Sequence, residues 1–212
     1  MKVAVVGGTG SFGQAVAKRL VDAGVEVVIG SRDAERAREA AASLGAEGAA
    51  NEDAVGGVDL VLLAVKAEAA VATARDLRQT IGSTPVLSVA AELSFGPGGV
   101  RPTAEASSIA QRIQDELDSP VAAGLHSLAA ANLSEAPPEE DALVCGDDQA
   151  AKEFALDLAG RLVSGNAIDC GPLASARALE GMTAVIVNVN KRYKAHAGLR
   201  VTGLGPTDSG SG

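Results

Sequence analysis

The first thirteen residues constrain the fold more than any other stretch. Val3-Ala4-Val5-Val6 is a short apolar run rich in β-branched residues, and it passes straight into Gly7-Gly8-Thr9-Gly10-Ser11-Phe12-Gly13. Such a run reads as a parallel strand buried on both faces. The spacing of Gly8, Gly10 and Gly13 permits a tight turn into a helix whose unpaired amides and dipole receive a pyrophosphate. Gly8, Thr9, Gly10, Ser11, Phe12 and Gly13 are therefore candidate dinucleotide contacts. A purely structural strand–turn–helix would carry the same letters, so the loop alone names neither the nucleotide nor the reaction.

The rest of the chain continues the pattern. Strands are expected at Val3–Gly7, Val25–Gly30, Val58–Val65 and Pro85–Val89, and helices at Ser11–Ala23, Asp33–Leu44 and Ala67–Ile81. Alternation of this kind argues an α/β fold with a doubly wound parallel sheet. A Gly/Pro-rich loop is expected at Ser94–Pro102, a helix near Ala104–Leu117 and a strand at Val121–Leu125. Less regular elements follow: a turn at Pro137–Asp141, strands at Ala142–Cys145 and Ala167–Cys170, and helices at Gln149–Leu162 and Ser175–Ala195. The expected organisation is a dinucleotide-binding domain over residues 1–120, a small C-terminal α/β subdomain over 121–205, and a disordered polar tail over 206–212. The apolar face Leu179, Met182, Ile186 and Val189 of the last helix suits packing on the first domain or on a second subunit.

Composition removes several classes of partner. The formal net charge of −9 argues against a nucleic-acid backbone, and 2% aromatic residues leave no stacking platform for bases. No run approaches the roughly 18 apolar residues of a membrane span, and the amino terminus has no secretory signal pattern. Cys145 and Cys170 read as buried, reduced thiols of a cytoplasmic protein.

The end of the second strand bears on the nucleotide. An NAD enzyme places Asp or Glu there, to accept from the ribose 2′-hydroxyl. This chain has Gly30-Ser31-Arg32, with Arg36 one helical turn later. Two guanidinium forks and a hydroxyl suit a 2′-phosphate, which favours NADP(H) held by Ser31, Arg32 and Arg36. The alternative is that both arginines pair with Glu35 and Glu39 on a solvated face.

Two dehydrogenase classes do not fit. Short-chain dehydrogenases need Tyr-x-x-x-Lys, but Tyr193 is followed four positions later by Ala197. The β-hydroxyacid dehydrogenases carry Gly, then Lys six later and Asn four beyond. Counting from Gly181 gives Val187 and Lys191.

The chain resembles the NADPH-dependent coenzyme F420 reductases over nearly its whole length. The segments that carry the likeness include VVGGTGSFG, VVIGSR, NEDAV, TARDL, the Leu125-His126 pair, VCGDD, DCGPLASARALE and NKRYKAHAGLRVTGL. The resemblance implies direct hydride exchange between the nicotinamide of NADP(H) and the C5 of coenzyme F420, a 5-deazaflavin. Thr9, Gly10, Ser11, Phe12, Ser31, Arg32 and Arg36 would hold NADP(H), with Ala64 and Val65 beside its nicotinamide. Ser88, Val89, Ala90, Ala91 and His126 would border the deazaflavin cleft. No acid–base residue is required, because the protein need only position two stacked rings and exclude water. His126 ends an apolar strand at the ligand-binding edge of the sheet, where it contacts a ring or carboxamide or else serves structure alone.

Three departures lie on the deazaflavin side. Lys66-Ala67 stands where the family has a Pro-Trp pair, the stretch after His126 is short, and the loop after the fourth strand is rich in Gly and Pro. Lys66 could reach a substrate carboxylate or phosphate, or extend to solvent. Lys191, Arg192, Lys194, His196 and Arg200 form a basic cluster that could steer the coenzyme's acidic oligoglutamate tail, or simply complement a helix end. A homodimer is expected from the last helix. A reductase of another acceptor, such as a flavin or a small carbonyl compound, and a non-catalytic NADP sensor both remain open at this stage.

Overall fold

Residues Val3 to Val6 of the first strand are all buried and alternate in direction: Val3 and Val5 join one hydrophobic cluster, Ala4 and Val6 the other. That is the arrangement a strand covered by helices on both sides demands. The computed structural model describes residues 1–204, so the tail expected over 206–212 lies outside the described residues.

Nine elements build the first half: β1 (Lys2–Val6), α1 (Ser11–Asp22), β2 (Glu26–Ser31), α2 (Ala34–Ala42), β3 (Glu47–Ala50), α3 (Asn51–Ala54), β4 (Leu60–Leu63), α4 (Ala67–Ile81) and β5 (Val86–Ser88). A hairpin of β6 (Leu93–Gly96) and β7 (Gly99–Pro102) follows, then α5 (Ile109–Gln114) and β8 (Val121–Gly124). The chain continues through α6 (Ala130–Leu133), β9 (Ala142–Gly146), α7 (Gln149–Leu162), β10 (Ala167–Asp169) and α8 (Ala176–Tyr193). Eight strands form one sheet in the order β10-β9-β8-β5-β4-β1-β2-β3. Its pairs are parallel except β8 with β9, which are antiparallel. The mostly parallel α/β architecture is thus present, and the strands after residue 120 extend the same sheet.

Helices α1, α2 and α7 pack on one face of the sheet, and α4, α5 and the start of α8 on the other. Helix α8 begins in the core, with Ala176, Leu179, Glu180 and Ala184 buried, while Val185 and the residues from Lys191 to Tyr193 are exposed. Its second half therefore leaves the core.

Three local readings change. The stretch read as a Gly/Pro loop is the β6–β7 hairpin, with Gly99 at φ +103 beside its tip. Its α8-facing position is fixed by Asn188, which accepts from Val100 N–H at 2.8 Å and donates to Val100 O at 2.7 Å. The helix expected from Ala104 starts at Ile109, because Ser108 caps it by a reciprocal box with Gln111. Strand β3 and helix α3 were not evident from a stretch without β-branched residues, and they add an edge to the sheet beside β2.

Candidate functional site

The glycine loop meets the carboxyl edge of the sheet between β1 and β4. Gly7 adopts φ +82, where a side chain would be strained, and a Cβ there would lie 2.7 Å from Ala64 O. A Cβ on Gly8 would lie 2.8 Å from Val5 O, and one on Gly13 would lie 2.6 Å from Gly7 O. These glycines are required by backbone packing. Gly10 differs: its nearest obstacle is Gly7 O at 3.4 Å, and the residue is exposed at the N-cap of α1 with no side-chain cap. Among the described residues the amides of Ser11, Phe12 and Gly13 at the start of α1 have no acceptor, next to a position where only hydrogen occupies the approach. That is the geometry of a pyrophosphate cradle.

At the end of β2, Ser31 is buried and its Oγ accepts from Asp33 N–H at 3.2 Å. Asp33 caps α2, accepting from Glu35 and Arg36 amides. The only acidic side chain in this turn is thereby engaged with its own helix. Arg32 and Arg36 are exposed, and among the described residues neither forms an ion pair; Glu35 meets Arg38 instead, at 3.8 Å. The pairing with Glu35 and Glu39 considered above is not formed.

Beyond the loop lies a cleft of about 270 Å³. One wall is Phe12 and the β4–α4 turn, Ala64 to Ala67. The other is Val89, Ala90, Ala91 and Leu93 after β5, with Leu125, His126 and Leu128 after β8 and Thr183 from α8. Phe12, Ala64, Val65, Val89, Ala90, Ala91 and His126, from the candidate set, thus line one cleft. Thr9 belongs to the adjoining loop and Ser11 to the first turn of α1, and Ser88 is fully buried outside the lining, with its Oγ lacking a hydrogen-bond partner among the described residues. Leu93, Leu125, Leu128 and Thr183 were not foreseen. The one signal was Thr183 itself, a polar interruption of an otherwise apolar helix face.

His126 is 6% exposed, and its Nε2 lies 3.2 Å from Ala90 O. Burial pushes its pKa down to about 4, against the opposing pull of the Ala90 carbonyl, so the ring is neutral near pH 7. A neutral ring facing a carbonyl through Nε2 carries its proton there, which leaves Nδ1 as an acceptor. That atom is buried without a partner among the described residues. The preceding Leu125 adopts φ +66, and Thr183 Oγ donates to His126 O at 3.0 Å, so backbone and helix together set the ring's place. Lys66 is then the one formally charged side chain of the lining at neutral pH. The cleft is apolar, with few hydrogen-bonding groups, as suits a planar ring beside a nicotinamide.

The model of the family "NADP oxidoreductase coenzyme F420-dependent" matches residues 2–92, the segment that holds the glycine loop and the β4 edge. The F420-dependent NADP reductase of Methanothermobacter thermautotrophicus is 36% identical, over 96% of each chain. The chain belongs to the F420-dependent NADP oxidoreductase family. The reductase of that name from Methanocaldococcus jannaschii is 33% identical over 96% of this chain and 99% of its own. Among solved structures, an Arthrobacter protein provisionally named an F420-dependent NADP reductase shares the fold, with a TM-score of 0.82 at 24% identity, covering 95% of this chain and 99% of its own. A pyrroline carboxylate reductase from Plasmodium falciparum gives 0.62 at 13% identity over 92% of this chain and 64% of its own, a likeness of fold alone. Membership extends past the matched N-terminal segment, because the relatives cover both walls of the cleft.

Proposed function

We propose that this F420-dependent oxidoreductase exchanges hydride directly between NADP(H) and coenzyme F420. The observation that carries the reading is the adjacency of the two halves of the site: Phe12, in the first turn of the helix that Gly10 caps, lines the apolar cleft. The coenzymes supply the redox chemistry when bound, as a hydride passes between nicotinamide C4 and deazaflavin C5.

The residues present fit both groups. Gly10 and the α1 amides would receive the pyrophosphate, and Ser31, Arg32 and Arg36 the 2′-phosphate. Ala64 and Val65 would place the nicotinamide at the β4 edge. Val89, Ala90 and Ala91 would flank the deazaflavin, and Phe12 would separate the rings from solvent. His126 would accept at Nδ1 from an N–H of the deazaflavin or of the carboxamide, orienting one ring without moving a proton. None of these residues needs to change charge during the reaction, so catalysis is positioning and water exclusion. Exposed Val185 on α8 supports a homodimer, and the unpaired Cys145 and Cys170 support a reducing, cytoplasmic setting.

The test is a mixture of protein, NADPH and oxidised coenzyme F420, followed by loss of deazaflavin absorbance. Turnover is expected, with no histidine-like limb in kcat between about pH 5.5 and 8, because His126 titrates below that window. Absence of turnover here, with turnover on FMN, would assign the cleft to another acceptor.

A further inference from the structure

The basic cluster near the end of α8 divides in the fold. Arg200 sits beside Asp141: burial works against that carboxylate's charge, but Asn166, the Val201 amide and Arg200 hold its pKa below the ordinary range. His196 contributes its carbonyl, which accepts from Asn132 Nδ2 at 3.1 Å. Arg200 thus ties the returning C-terminal segment to the start of β9, and His196 ties it to α6. Lys191 and Lys194 are different. Both are exposed, and among the described residues neither forms an ion pair. Lys194 ends α8 in the left-handed conformation, at φ 51 and ψ 46.

Lys191 Nζ lies 5.5 Å from the centre of the Phe95 ring. Phe95 is 67% exposed, unusual for a large apolar side chain. It stands two residues beyond Leu93 on the same face of β6, and Leu93 lines the cleft. Thr183, another lining residue, lies eight residues before Lys191 on α8. At 1.5 Å rise per residue that is about 12 Å along the helix. Two residues of strand span about 7 Å. The β6–β7 hairpin and α8, locked together through Asn188, therefore form a track out of the cleft, with an aromatic face and an uncompensated cation at its far end.

We infer that Lys191 on its Phe95 platform, with Lys194 beyond it, is the subsite for the phosphate and acidic glutamate tail of the deazaflavin coenzyme. This rests on the function proposed above and deepens it. The five-carbon chain between ring and phosphate bridges a distance of the same order as the track. A chain of net charge −9 otherwise repels a polyanion, so a local pair of cations beside the cleft selects where the tail lies. The Phe95 face holds the ammonium in place without neutralising it.

The test compares two ligands on the same proteins: full coenzyme F420, and its 5-deazaflavin with the ribityl chain but neither phosphate nor glutamates. Dissociation constants are read from deazaflavin fluorescence in equilibrium titrations, at low and high salt. Lys191→Ala should weaken the full coenzyme by about threefold, and K191E/K194E by about tenfold or more at low salt, with the difference shrinking at high salt. Binding of the truncated ligand should move less than about twofold, and Lys191→Arg should restore the full coenzyme. Equal weakening of both ligands, or unchanged binding of the full coenzyme, would overturn the assignment. If the parent protein binds neither ligand, the function proposed above fails first; if it turns over the truncated ligand normally while the substitutions change nothing, only the tail subsite fails.

Discussion

The glycine-loop corner and the wall completed by α8 face each other across one cleft, yet they are held in place by different means. The corner is backbone against backbone. Gly7, Gly8 and Gly13 sit where hydrogen alone fits against Ala64 O, Val5 O and Gly7 O, all within neighbouring turns at the ends of β1 and β4. The opposite wall is made by side chains from distant segments: His126 against Ala90, Thr183 across 57 residues to the His126 carbonyl, Asn188 across 88 to Val100. The lesson is that the pyrophosphate side is specified by backbone packed on backbone and tolerates almost no added atom. The ring side is specified by long-range hydrogen bonds, each of which can be altered without forcing backbones apart.

Gly13→Ala should have the largest effect on this contrast. Alanine in a helix interior gains up to about 1 kcal/mol over glycine, but a Cβ at 2.6 Å from Gly7 O forces the loop off β1. Overpacking of that kind costs about 1–3 kcal/mol, so the clash wins. Urea unfolding should show a net loss of about 1–2 kcal/mol, and NADPH affinity should fall more than tenfold. A variant as stable as the parent, with normal NADPH binding, would remove the claim that this corner is closed to added atoms.

The R32A/R36A double variant acts on the same side without touching the fold. Each charge-assisted hydrogen bond to a phosphate is worth about 1.5–3 kcal/mol, so preference for NADPH over NADH should fall by about 100-fold. The change should appear in the KM for NADPH, while thermal unfolding and the KM for NADH stay put. Loss of preference through kcat instead would place the discrimination elsewhere.

Glu180→Gln probes the α8 side and should give the smallest effect. Glu180 is buried on α8, and its Oε1 accepts from Ile109 N–H at 2.7 Å and from Ala110 N–H at 3.4 Å, so it caps α5 from a different helix. Burial pushes its pKa up to about 7, against those amides and the charges of Arg177 and Arg112. The fold thus prefers the protonated carboxyl. Its contribution is complete below the unfolded-state value near 4.5 and is lost as pH rises through about 7. Glutamine keeps the acceptor and has no charge to desolvate. The Tm of E180Q relative to the parent should therefore climb between pH 4.5 and 7.5, by several degrees, and then level off. A constant offset across that range would show that Glu180 stays charged in the fold.

What could be read before folding follows the same division. β1, β2, β4 and β5 were legible because their short apolar runs suit strands covered on both faces, and His126 because it ends such a run at the ligand edge. The lack of an acid after Gly30 was legible for the same reason, since strand end and turn are contiguous. Strand β3 was not, because Glu47-Gly48-Ala49-Ala50 has no strand preference of its own and forms by pairing along β2. The β6–β7 hairpin was hidden by Pro97-Gly98, which reads as a loop until Asn188 supplies its anchor. The antiparallel direction of β9 is a matter of topology, and no periodicity in Ala142–Gly146 encodes it. Thr183 was legible only as a polar interruption of α8, because its place in the cleft depends on where α8 leaves the core.

The unequal crowding around the loop glycines also bears on how such a chain would drift over generations. A lineage that lost its need for the nucleotide would still be held to glycine at positions 7, 8 and 13, where the fold itself objects to a side chain. Position 10, exposed and with φ −81, would be released, because only the ligand objects there. Within this loop, the residue at position 10 is the one that would record whether selection still acts on the coenzyme.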